Sequence, residues 1–171
     1  MQESVEQDAG IPVSKYLSAA ILLLLLIKVF LASVLDLYSD EVFYWQASTN
    51  PAIAYSDLPF MTALLIGLGS AMEPSNTLAA RSLFLLLGSC LPLLVFWIAK
   101  PITGHKYAIE SATLSLCLPL AGFLGLLAVP DVPLVFFGLL SIGFFERALR
   151  DNKLSHWLFA GAFVAMGLST H

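Results

Sequence analysis

Apolar residues in this chain arrive in long blocks, and polar ones gather between them. The first block, YLSAAILLLLLIKVFLASVL at 16–35, is interrupted by one charge, Lys28. A helix rises ~1.5 Å per residue and the hydrocarbon core of a bilayer is ~30 Å thick, so a run of this length predicts a membrane span. Blocks at 78–99, 108–129 and 134–148 predict three more, and a fifth begins near His156. PFMTALLIGLGSAM, at 59–72, is apolar but short for a crossing, which predicts an interfacial or re-entrant helix. Between the blocks lie an aromatic and polar loop at 36–58, the turn KPITGHK, the break PDVP and the charged loop ERALRDNKLS. The last run, Trp157 to His171, is too short to cross. The sequence therefore reads as the N-terminal piece of a longer chain, inactive by itself. Its organisation is a tail at 1–15 and one transmembrane domain at 16–171, with an interfacial loop at 36–76.

Composition fits this pattern. Hydrophobic residues make up 58% of the 171 and charged residues 12%, about half the charged share of a soluble domain. A net charge of −4 without any basic stripe excludes a nucleic-acid partner. Cys90 and Cys117 lie far apart inside apolar runs, as small buried hydrophobes do, and show neither a disulfide framework nor zinc spacing. The leader MQESVEQDAGIPVSK is mostly acidic and no small-residue cleavage site follows the first block, so that block reads as a retained span. No phosphate-binding glycine loop, zinc-protease motif or nucleophile elbow is present.

Charge also predicts orientation. Lys15, Lys100, Lys106, Arg147, Arg150 and Lys153 fall on one side if each span crosses once, which makes that side cytoplasmic. The opposite side collects Asp36, Asp40, Glu41, Asp57, Glu73 and Asp131, with Arg81 at the start of the second span. Three sequence-distant carboxylates, Asp40, Asp57 and Asp131, are thus expected at helix mouths on one external face.

Each of these residues has a bland explanation beside a chemical one. In SDEVFYWQAS, at 39–48, Ser39 can cap a helix and Asp40 and Glu41 suit its first turn, while Tyr44 and Trp45 suit a membrane interface. The same acids, half desolvated beside hydrocarbon, could act as bases. SDLPF and PDVPL each place Asp and Pro where a helix starts. Two or three carboxylates meeting on one face could instead hold a divalent cation, with Asp57 and Asp131 as its ligands. Arg81 is either an interfacial arginine or a clamp for phosphate oxygens. Lys28 is expected to snorkel or to pair within the bundle.

In this order, SDEVFYWQAS, AYSDLPFMTALLIGLGSAM, ARSLFLLLGS and PDVPLVFFGLLSIGFFERAL resemble the N-terminal part of the polyprenyl- and dolichyl-phosphate-sugar glycosyltransferases. That group includes the protein O-mannosyltransferases and the lipid A aminoarabinose transferase. The resemblance runs from about residue 17 to the end. It implies an all-α C-type glycosyltransferase fold with short interfacial helices in the first external loop. It makes Asp40 the expected catalytic base, with Glu41 beside it. It puts Asp57 near the donor phosphate and metal region and Asp131 in the same cavity, with Arg81 and Tyr44 as donor-binding candidates. Many relatives carry His-Pro-Pro or Lys-Pro-Pro after the acid matching Asp57; here Leu58-Pro59-Phe60 stands instead, which removes a phosphate contact at Leu58.

The implied reaction moves a sugar, with inversion, from a lipid-phosphate-linked donor to a hydroxyl of a protein, lipid or glycan. No nucleotide cofactor is expected, and a divalent metal ion is an open option. The implied location is integral to the bacterial inner membrane, among membrane lipids, with the site facing the periplasm. The competing reading is a non-enzymatic membrane protein, a transporter or assembly subunit, whose external acids bind ions.

Overall fold

A computed structural model of the full chain describes residues 13–50, 60–73, 76–118 and 123–170. Among the described residues are seven helices and no strand: α1 (Val13–Val34), α2 (Ser39–Ser48), α3 (Phe60–Ser70), α4 (Thr77–Thr103), α5 (His105–Cys117), α6 (Asp131–Asp151) and α7 (Leu154–Leu168). The fold is an all-α helix bundle, as the apolar blocks predict. Three stretches, Lys15–Val34, Thr77–Thr103 and Asp131–Asp151, are long and apolar enough to cross a membrane. Leu22, Leu23, Leu26 and Phe30 of α1 are exposed. Such a stripe is stable against lipid and costly against water.

The central element is α4, which packs on α1, α3, α5 and α6. Asn76 caps it, its side chain accepting from the Leu78 N–H at 2.9 Å. It turns into α5 at Gly104, whose φ of 85° lies in the left-handed region that favours glycine. α6 and α7 form an antiparallel hairpin across Asn152, a residue with φ 47° whose N–H donates to the Ala148 carbonyl. Ile66, Phe84, Leu91, Leu124 and Val132 form the main core. Pro133 sits in the first turn of α6, where its missing N–H removes no helical bond.

One expected helix differs. The apolar block at 108–129 predicts a full span, yet α5 ends at Cys117. Pro119 follows Leu118 in sequence, and the residue before a proline is pushed out of the helical region. Leu118 accordingly has φ −72° and ψ 127°. From Leu124 to Ala128 the chain runs largely buried and non-helical against α4. Gly125 and Gly88 meet there: a Cβ on Gly88 would come within 2.5 Å of the Leu124 oxygen, and one on Gly125 within 2.6 Å of the Phe84 oxygen. Only two glycines allow these backbones so close.

Backbone buried without helical bonds must find other partners. Lys28 supplies one, its Nζ donating to the Leu124 carbonyl at 2.6 Å. Lys28 is therefore turned into the bundle, 3% exposed, rather than snorkelling outward. The other end of the loop is held from α2.

Candidate active site

α2 starts one residue earlier than the Ser39 cap predicts. Tyr38 is the N-cap residue and Ser39 is already helical. The third helical residue, Glu41, reaches back and accepts the Tyr38 N–H at 2.9 Å. Its carboxylate also accepts from Arg81 Nε at 2.8 Å, from Arg81 Nη2 at 2.5 Å and from the Ala128 N–H at 2.7 Å. Glu41 and Arg81 are both fully buried.

Arg81 has five N–H donors, and all are engaged. Besides the two to Glu41, Nη1 donates to the Ala32 and Leu35 carbonyls at 3.0 and 2.8 Å, and Nη2 to the Asp36 carbonyl at 2.9 Å. Those three carbonyls belong to the end of α1 and the residues after it, where helical acceptors lack partners. One ion pair thus ties together α1, α2, α4 and the loop that enters α6.

Burial by itself would raise the Glu41 pKa. The hydrogen bonds from Arg81, Ala128 and Tyr38, with the Arg81 charge, outweigh it and hold the carboxyl below its ordinary 4.5. Glu41 is thus an anion committed to four donors.

Asp40 is the neighbour of Glu41 and is exposed, because successive residues on a helix point ~100° apart. Tyr44 lies one turn further along the Asp40 face and is half-buried. Its phenol is pushed above its ordinary 10.0 by burial, then by the negative charges of Asp40 and Asp131. Asp131, also exposed, opens α6. Residues 40, 44 and 131 therefore share one end of the bundle, where the charges of both acids help keep the phenol protonated.

Of the residues singled out in the sequence, Asp40, Tyr44 and Asp131 lie at the same end of the bundle, and Glu41 and Arg81 form a closed, buried pair. Asp57 lies outside the described residues. Among the described residues no group of three or more His, Cys, Asp or Glu is close enough to hold a metal ion. Sequence reasoning missed the Ala128 N–H and the α1 carbonyls as partners of the buried pair, since backbone groups leave no mark in a residue pattern. Lys28, a lone charge in an apolar run, did carry a signal.

An all-α bundle with spanning helices and a group of acids at one end defines a polytopic membrane protein. Residues 57–171 match the family of dolichyl-phosphate-mannose-protein mannosyltransferases, and the chain belongs to that family. It is an integral membrane protein and a glycosyltransferase of the mannosyltransferase type, a class that acts on a lipid-linked sugar donor and an acceptor. The matched region contains Arg81 and Asp131 but begins after α2. Glu41 joins α2 to it physically. No curated protein and no solved structure matches the chain.

Proposed function

We propose that this chain forms the acid-bearing part of an inverting transferase that moves a sugar from a polyprenyl-phosphate donor to an acceptor hydroxyl. Asp40 is the base. Its exposed carboxylate takes the acceptor proton as the hydroxyl oxygen attacks the anomeric carbon. The bond from that carbon to the phosphate oxygen breaks on the opposite face, and the lipid phosphate leaves with the electron pair. Tyr44, kept protonated, donates a hydrogen bond to the sugar or the leaving phosphate. Asp131, exposed at the same end of the bundle, orients sugar hydroxyls.

Glu41 and Arg81 act through position. Buried and fully hydrogen-bonded, they hold α2 and the entry to α6 so that Asp40, Tyr44 and Asp131 face one another. This reading takes Glu41 out of the proton transfer and Arg81 out of direct phosphate binding. A divalent cation at Asp57 and Asp131 belongs to the reading only as an addition. The cations at the opposite end favour a bacterial inner-membrane orientation with the acids in the periplasm. A hydroxyl of a protein, of lipid A or of a surface glycan would each serve as the acceptor in this reaction.

The observation that carries the proposal is the convergence of Asp40, Tyr44 and Asp131 on elements that one buried ion pair locks together. The test is sugar transfer from a polyprenyl-phosphate donor by the full-length protein with Asp40→Asn. A fall of ~10²–10⁴-fold is expected for loss of a general base. Unchanged transfer would overturn the role of Asp40.

A further inference from the structure

Behind the loop that Lys28 holds lies a cavity of about 210 Å³, bounded by α1, α4, the last turn of α5, Leu124 and α6. Leu24, Leu91, Val95 and Leu139 give it nearly all-carbon walls, and Lys28 sits at its edge. The Lys28 ammonium donates to the Leu124 carbonyl, so a cation at the rim already serves the backbone. A cavity of ~150 Å³ with such walls stays dry and takes up apolar guests. Left empty, this one deprives the surrounding side chains of contacts on one side.

We infer that this cavity binds one acyl chain of a bilayer phospholipid. The occupant must be hydrocarbon, because the walls supply almost no polar atoms and a buried headgroup would go unpaired. It must come from the bilayer, because the lining side chains sit along the spanning stretches of α1, α4 and α6, where acyl chains are the solvent. Its headgroup stays outside at the membrane surface. The chain lies against Leu124, the residue whose carbonyl Lys28 holds. This site is independent of the sugar-transfer reading and concerns different residues from those at the acidic end.

The test is native mass spectrometry of the full-length protein, transferred from membranes into mild detergent and washed. One phospholipid retained per chain is expected. Val95→Phe and Leu139→Phe, which fill the cavity, should lose it, whereas Leu86→Phe, on an exposed position of α4, should keep it. Absence of lipid from the unsubstituted protein, or equal retention in all variants, overturns the inference. Retention of a polyprenyl phosphate in place of phospholipid overturns the acyl-chain assignment. A second measurement needs no variant: with chain-brominated phospholipid, crystals should show bromine scattering between α1, α4 and α6. Bromine confined to the outer lipid shell contradicts the site.

Discussion

Two carboxylate–guanidinium pairs stand at opposite ends of the bundle, and they do different work. Glu41 and Arg81 are fully buried and come from separate helices. Glu146 and Arg150 are one turn apart on α6, 3.0 Å from each other, with Arg150 45% exposed. The chemical groups are the same. At the acidic end the pair has left water, so every oxygen and N–H had to find a partner, and those partners come from four segments. At the basic end Arg150 is half in water, and the pair joins nothing that α6 does not already join. Burial, rather than the presence of opposite charges, turns an ion pair into a joint between elements.

This contrast can be broken by substitution. The largest effect on folding is expected from Arg81→Ala, which leaves the Glu41 anion without its counter-charge and removes three hydrogen bonds to carbonyls at the end of α1. A loss of ~3–5 kcal/mol is typical for breaking a buried pair, read by denaturant unfolding in detergent. Replacing both partners, as Glu41→Leu with Arg81→Met, should recover part of that loss, because no lone charge remains. If the double variant is no better than Arg81→Ala, the cost is not an orphaned charge.

Gly143→Ala comes next. A Cβ there would overlap the Trp97 ring, which also carries the Arg147 guanidinium 3.5 Å from its centre. Overpacking of this kind costs ~1–3 kcal/mol, and the same unfolding assay reads it. Arg150→Ala should cost no more than ~1 kcal/mol. A larger loss would show that the exposed pair is not the weak one.

Acid titration sharpens the comparison further. The Glu41 pKa in the folded chain lies below its ordinary 4.5. The unfolded state therefore takes up a proton first, and the stability this group contributes is full above 4.5. It is lost as pH falls from there through the folded value. Unfolding measured below pH 4.5 should show this slope in the unsubstituted chain and a shallower one in the Glu41→Leu, Arg81→Met variant.

Much of the architecture was legible in the sequence. Apolar run length predicts α1, α4 and α6, and the placement of cations and acids predicts that residues 40 and 131 share an end. The end of α5 was less plain. An apolar run reads alike as span or buried loop, and what decides is Pro119 together with two glycines, Gly88 and Gly125, whose meeting depends on packing. The role of Glu41 was not legible at all. An acid at the third position of a helix looks the same whether it faces water or an amide that arrives 87 residues later. Asp40 and Glu41 differ by one residue in the chain and by their whole environment in the fold.

The most direct test is to measure unfolding and sugar transfer side by side in full-length Asp40→Asn and Glu41→Gln. The account predicts that Asp40→Asn keeps its unfolding free energy within ~0.5 kcal/mol and loses transfer. Glu41→Gln should lose transfer and also unfold at lower denaturant than the unsubstituted chain. A stable Glu41→Gln protein that folds normally yet cannot transfer, beside an Asp40→Asn protein that transfers normally, would reverse the two roles and contradict the account.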